Sequence, residues 1–395
     1  MEIDMIDIAS GGTVIKVVGV GGAGGNAVQH MINKGVHGVE FICANTDAQA
    51  LKNSKAHNII QIGDSGLGAG MRPAVGRQLA EETRARIEDA LRGAHMVFIA
   101  AGMGGGTGTG AAPVVAEIAK QLGALTVAVV SKPFSYEGQK CMDIANEGLE
   151  ELSQHVDSLI VILNEKLEEI YEDDSMVEWL QHADDVLNNA VAGIAEIINV
   201  PGHINVDFND VKTIMGEQGK AMMGTATAAG VDRARIAAEQ AVASPLLDGI
   251  DLSGARGVLV NVTASRGLKG KEIKEVMATV RAFAAADASI AQGIAYDDSM
   301  GDELRVTVVA TGLGRGRKNV QLVQTPMLRT GTHDHAVAAP QNQAGSAHAQ
   351  PSHSFEGMKA PAVWRRESAS ETVRALEKNG METYDIPAFL RKQAD

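Results

Sequence analysis

The chain has 395 residues, 45% hydrophobic and only 3% aromatic, which suits two or more domains of close-packed α/β layers rather than an aromatic-rich β-sandwich. Lys and Arg number 35 against 49 Asp and Glu, so the formal charge of −14 argues against a general affinity for nucleic acid or anionic lipid, and an anionic ligand needs a local site. Cys43 and Cys141 are too few for a disulfide scaffold and fit a reducing cytoplasm, and no basic leader or run of 18 apolar residues occurs, so a soluble, unexported protein is expected.

From Thr13 to Lys132 short β-branched runs alternate with helical spacing, the pattern of parallel βα units covered on both faces. Val14 to Val20 reads as a strand. It is followed by Gly19-Val20-Gly21-Gly22-Ala23-Gly24-Gly25-Asn26, a glycine turn that opens a helix. The turn contains Gly-x-Gly-x-x-Gly with Asp47 23 residues beyond Gly24, which alone suggests a dinucleotide-binding oxidoreductase. After a strand at Val39 to Ala44 comes a second glycine loop, Gly63 to Gly70, and then a helix predicted over Val75 to Leu91. Met96 to Ala100 is a strand that leads into Gly104-Gly105-Gly106-Thr107-Gly108-Thr109-Gly110, and the helix after that run places Pro113 in its first turn. Loops so poor in Cβ atoms can turn their amides, and here two threonine hydroxyls, around an anion at the positive end of a helix. Three such loops fit a triphosphate better than a dinucleotide; with no Gly-x-x-x-x-Gly-Lys-[Ser/Thr] and no phosphate-neutralising lysine, amides, helix ends and Mg²⁺ must meet the charge.

Further on, Leu125 to Val130 and Ser158 to Leu163 are strands, with a helix ending near His155 between them. Ser175-Met176-Val177-Glu178 has the spacing of a capping box before a long helix through Leu180, Leu187, Ile194 and Ile198, apolar enough to be buried between two domains and stopped by Pro201-Gly202. A second α/β unit runs from Val206 to Gly312, with strands at Gly257 to Thr263 and Leu304 to Thr311 and helices at Arg233 to Ala243 and Lys271 to Ala284. Leu313 to Asn379 reads as a disordered linker, and its histidines His333, His335, His348 and His353 lack metal-ligand spacing. Tyr384 to Asp395 regains apolar anchors, the mark of a docking peptide.

Taken together these motifs resemble FtsZ, the family of bacterial tubulin-like cell-division GTPases, over Thr13 to Gly312 and the last dozen residues. The resemblance rests on Gly104 to Gly110, with Gly21 to Asn26, Asn45-Thr46-Asp47-Ala48-Gln49-Ala50-Leu51 and Gly66 to Gly70 matching the other nucleotide loops. It implies an α/β tubulin/FtsZ-like fold: a flexible N-terminus (1–12), a Rossmann-like GTP-binding domain (13–175), a central helix (176–200), a smaller α/β domain (201–312), a linker (313–379) and a docking peptide (380–395). It implies that GTP or GDP, with Mg²⁺ carried through phosphates and water, is held by Gly21, Gly22, Ala23, Gly24, Gly25, Asn26, Asn45, Asp47, Gly68, Ala69, Gly70, Gly104, Gly105, Gly106, Thr107, Gly108 and Thr109. No protein ligand for the metal is expected. Glu137 lies near sugar and phosphates, and Asn164 and Asp184 face guanine; a carboxylate accepts from both N1–H and the 2-amino group, a donor pair that adenine lacks.

Asn205, Asp207 and Asp210 match the loop that supplies the family's catalytic acids to the nucleotide of the next subunit, and the same residues also read as a helix cap with a favourable first-turn charge. Two positions depart from the family pattern. Cys141 stands where an arginine is usual, with Lys140 a partial substitute, and Leu180 where a phenylalanine is usual, with Trp179 on a neighbouring face. The implied partners are other copies of the chain in head-to-tail filaments, FtsA-like and ZipA-like membrane tethers and ring-position regulators on Tyr384 to Asp395, at a cytoplasmic mid-cell division site. The alternatives are a divergent copy that regulates another FtsZ with weak turnover of its own, and a Rossmann oxidoreductase.

Overall fold

The computed structural model describes residues 12–199, 206–216, 219–243, 255–285 and 287–313. The expectations for the first eleven residues, Asn205, the linker beyond 313 and the terminal peptide fall outside these residues. In chain order the elements begin β1 (Ile15–Val20), α1 (Gly21–Asn33), β2 (Glu40–Asn45), α2 (Ala48–Leu51), β3 (Asn58–Gln61), α3 (Pro73–Glu82), α4 (Arg84–Leu91) and β4 (Met96–Gly102). They continue with α5 (Thr107–Gln121), β5 (Leu125–Lys132), α6 (Gln139–His155), β6 (Ser158–Leu163), α7 (Asn164–Ile170) and α8 (Met176–Asn199). The last are α9 (Phe208–Met215), β7 (Gly219–Ala229), α10 (Arg233–Val242), β8 (Gly257–Ala264), α11 (Gly270–Phe283), β9 (Ser289–Tyr296) and β10 (Glu303–Leu313).

These strands form one ten-stranded sheet in the order β3-β2-β1-β4-β5-β6-β7-β10-β8-β9. The first six are parallel and reproduce the doubly wound 3-2-1-4-5-6 order. Every residue of β1 is buried, as a strand covered on both faces requires. On one face Val17, Phe98 and Val129 pack against α1 and α8; on the other Val18, Ile99 and Val130 meet α5 and α6. α1 reaches the sheet through Gly24, Ala27, Val28 and Met31, the stripe that a 3.6-residue period sets on one face. Along α8, Leu187, Ala190, Val191 and Ile194 join Phe98 and Ile160 of the first strands to Leu259 and Val309 of the later ones in one core. The helix expected to be buried is so only beyond its first two turns, because Met176, Val177 and Leu180 are exposed while Ala183 and Leu187 are buried. Its capping box is present: the Glu178 carboxylate accepts from the Ser175 amide at 2.7 Å, and Ser175 Oγ accepts from the Glu178 amide at 3.4 Å.

Three local expectations need correction. The helix expected over Val75 to Leu91 is broken at Thr83, whose hydroxyl donates to the Leu79 carbonyl at 2.8 Å and accepts from the Gly63 amide at 2.9 Å, bending the chain to hold the second glycine loop. Pro113 is not in the first turn of its helix, because α5 already begins at Thr107, inside the glycine run. The later half contains two strands that the sequence reading left out, β7 and β9, and β3 was missed earlier; each mixes Gly, Gln, Asn or Thr into its apolar pattern.

Candidate functional site

In an open doubly wound sheet a ligand binds beyond the carboxyl ends of the strands, where the strand order reverses. Here the reversal lies between β1 and β4, and the chain leaves those two strands through Gly21 and Gly104. Close approach of backbones brings all three glycine loops together. A Cβ on Gly21, whose φ is +76°, would come within 2.9 Å of the Gly108 amide nitrogen, and one on Gly106 would strike the Gly70 carbonyl. Gly24, Gly108 and Gly110 similarly press on the carbonyls of Ala100, Gly102 and Pro73.

The glycines of the long run therefore divide into two kinds, which the sequence pattern does not distinguish. Gly106, Gly108 and Gly110 are packing residues. By contrast, Gly22, Gly68, Gly70 and Gly105 have nothing within 4 Å of a Cβ position, leaving backbone open at the mouth of the cradle. Gly22, Ala23 and Asn26 are exposed on the first two turns of α1, while Gly25 sits over the Cys43 sulfur and Ala69 is buried. The two threonine hydroxyls are partly spent on the loops themselves. Thr109 accepts from the Gly104 amide at 2.9 Å, and Thr107 shares a 2.6 Å bond with Thr46, a residue to which no role was assigned from sequence. Asn45 accepts from the Asp47 amide at 3.2 Å, and Asp47 caps α2 through the Gln49 amide at 2.8 Å.

At the other side of the cradle, Glu137 accepts from the Phe134 amide at 2.9 Å and lies 3.7 Å from the Cys141 sulfur, which donates to it. Burial, then the Glu137 charge, push the Cys141 thiol up, so it stays neutral. That sulfur would be 2.6 Å from a Cβ on Gly104, so the side chain in the arginine's place abuts the glycine run.

Phe134, Leu167 and Ala183 pack together and hold α7 against α8, placing Asn164 and Asp184 at the same corner. Asn164 is 5% exposed and its Oδ1 has no hydrogen-bond partner, the signature of a group awaiting a donor. Asp184 is pushed up to about 6, chiefly by burial, with His30 opposing and Asp185 adding to the shift. The neighbouring Asp185 is also disfavoured by burial, but His30 at 2.8 Å and Lys34 at 3.3 Å outweigh this and hold it below its ordinary value. His30 and Lys34 were not singled out in the sequence; their i,i+4 spacing opposite an Asp-Asp pair was the available signal. Trp179 stacks on Phe134 with centroids 6.2 Å apart and donates to the Tyr171 carbonyl at 2.6 Å, so it is committed to the core, while Leu180 one residue on is 47% exposed.

Asp207 and Asp210 lie elsewhere. Both are exposed, and Asp207 caps α9 by accepting from the Asp210 amide at 2.8 Å, as the structural reading of the pair required. The Phe208 ring meets His95, 6.2 Å between centroids, immediately before β4, whereas Gly104 follows the end of that strand. Seven residues of strand separate those points by about 20 Å. Among the described residues no group of three acidic, His or Cys side chains could hold a metal, and no helix is long and apolar enough to cross a membrane.

Residues 14–172 match the model of the Tubulin/FtsZ family GTPase domain, and residues 219–314 that of the FtsZ family C-terminal domain. The cell division protein FtsZ of Pseudomonas putida is 50% identical over 99% of this chain and 100% of its own length, and that of Pseudomonas aeruginosa is 51% identical over the same shares. The chain belongs to the FtsZ family. Among solved structures, an empty FtsZ dimer from M. jannaschii aligns with TM-score 0.74 and 45% identity, covering 78% of this chain and 89% of its own. CetZ2 from Haloferax volcanii, at TM-score 0.65, 20% identity and coverage of 77% and 95%, shares the fold. FtsZ membership makes the chain a GTPase and favours this reading over the oxidoreductase and the regulatory copy; the dinucleotide-like turn is explained by the strand order the two folds have in common.

Proposed function

We infer that the protein is a cell-division GTPase that polymerises head to tail into the filaments of the division ring, each active site being completed between adjacent subunits. The observation that carries this is the separation of about 20 Å, along β4, between the glycine loops and the end of the sheet that bears Asp207 and Asp210. Acids so placed cannot reach a nucleotide held by their own chain. A second copy stacked end to end brings them to it, and a contact between unlike surfaces propagates as an open filament.

The remaining roles follow from chemistry. The glycine loops and the ends of α1 and α5 hold the phosphates, Glu137 sits beside sugar and phosphates, and the unpaired Asn164 Oδ1 and the Asp184 carboxylate accept from guanine. Mg²⁺ would be held by the phosphates and water rather than by protein ligands and would offset phosphate charge, and Asp207 and Asp210, with Asn205, position the attacking water; phosphoryl transfer depends mostly on such placement and on charge stabilisation. Residues 13–175 form the nucleotide-binding domain, 176–200 the central helix and 201–312 the domain that presents the acids. Tyr384 to Asp395 docks FtsA-like or ZipA-like tethers and ring-position regulators at the mid-cell site in the cytoplasm.

The test is GTP hydrolysis and pelleting measured together across protein concentration, with Asp210→Ala alongside. A divided site predicts specific activity that appears only above a critical concentration, and an Asp210→Ala chain that binds GTP without turnover. Activity proportional to concentration from the lowest dose contradicts it.

A further inference from the structure

Arg72 joins the second glycine loop to α3, immediately before Pro73. A Cβ on Gly106 would lie 3.0 Å from the Arg72 amide nitrogen, so this residue stands at the seam between the second and third glycine loops. Its side chain is exposed, and its guanidinium has no hydrogen bond or ion pair with any described residue. The next three arginines along the chain are engaged: Arg77 with Glu151, Arg84 with Glu81 and Glu117, and Arg86 with the Gln61 carbonyl. On the far rim, α6 offers the cradle a neutral thiol at Cys141, and Glu137, in the turn just before that helix, offers a carboxylate. A polyphosphate would thus meet negative charge on one side and a free, five-donor cation on the other.

We propose that Arg72 is a phosphate-binding residue for the guanine nucleotide, supplying from the second glycine loop the guanidinium that position 141 lacks. This rests on the reading of the site as a GTP site. A planar fork at this seam makes bidentate contact with phosphate oxygens, which a lysine at the same place cannot reproduce. Because the side chain has no partner among the described residues, its removal is expected to leave stability unchanged and to be read out in ligand binding alone.

The experiment measures GTP and guanosine binding, at protein concentrations too low for assembly, for the full chain and for Arg72→Gln, Arg72→Lys, Lys140→Gln and Arg72→Gln with Cys141→Arg. Arg72→Gln is expected to weaken GTP about tenfold, to leave guanosine unchanged, to flatten the dependence of GTP affinity on salt, and to keep the wild-type melting temperature. Arg72→Lys falls between the two, Lys140→Gln loses less than Arg72→Gln, and Cys141→Arg restores GTP binding. The proposal is overturned if Arg72→Gln binds GTP within twofold of wild type, if guanosine binding falls equally, or if Lys140→Gln loses more. A wild-type chain that binds no GTP overturns instead the reading of the site on which the proposal stands.

Discussion

Asp184→Asn separates the cost of the proposed guanine site from its use. Burial raises the Asp184 carboxyl from 3.8 to about 6, so in the empty protein at neutral pH the fold carries a charge it would rather not hold. A shift of about two units corresponds to about 3 kcal/mol, and the water that still reaches this part-exposed carboxyl reduces the expected gain from Asn to about 1–2 kcal/mol. The sign follows from linkage. The folded state binds the proton more tightly than the unfolded state, so wild-type stability is fully retained below about pH 4 and declines as pH rises through about 6. The melting temperature of nucleotide-free Asp184→Asn should therefore exceed that of wild type by a few degrees at pH 7.5 and converge with it near pH 4.5. Guanine recognition moves the other way: Asn retains one acceptor where the carboxylate offers two, and GTP affinity should fall on the order of tenfold. For the same reason wild-type GTP affinity should decline as pH falls below about 6. Calorimetric melting and nucleotide titration across this range provide both readouts. A melting difference independent of pH, or an Asn variant less stable than wild type at pH 7.5, refutes the assignment of a buried, destabilising carboxylate.

Two further pairs of substitutions test the division of labour in the loops. Gly106→Ala forces a methyl group into the Gly70 carbonyl and should lower stability by about 2 kcal/mol or more, whereas Gly105→Ala, with open space around its Cβ, should melt within about 0.5 kcal/mol of wild type yet lose GTP affinity; thermal melts with and without nucleotide decide this. Asp207→Ala should cost about 1 kcal/mol through loss of the α9 cap while Asp210→Ala costs less, although both abolish turnover; equal stability of the two in urea titration would contradict the capping geometry.

The sequence by itself determined that strands and helices alternate, that the chain carries three glycine loops and that two of them directly follow strands, because β-branched runs and missing Cβ atoms act locally and leave a mark at each position. It also made legible the capping box at Ser175 and the cap at Asp207, since both depend on contacts within a few residues. Which glycines pack and which stay open could not be read, because Gly106 meets Gly70 and Gly24 meets Ala100 only once β1, α3 and β4 are side by side. Strand β9 was hidden for a related reason: its partner β8 supplies the neighbours that make Ser289–Tyr296 a strand. The orphaned Asn164 Oδ1, the raised Asp184 and the clamp of His30 and Lys34 on Asp185 all arise from α1, α7 and α8 meeting at one corner. Tertiary structure alone set the acids at Asp207 and Asp210 at the opposite end of the sheet, since a distance through a folded core has no counterpart in spacing along the chain.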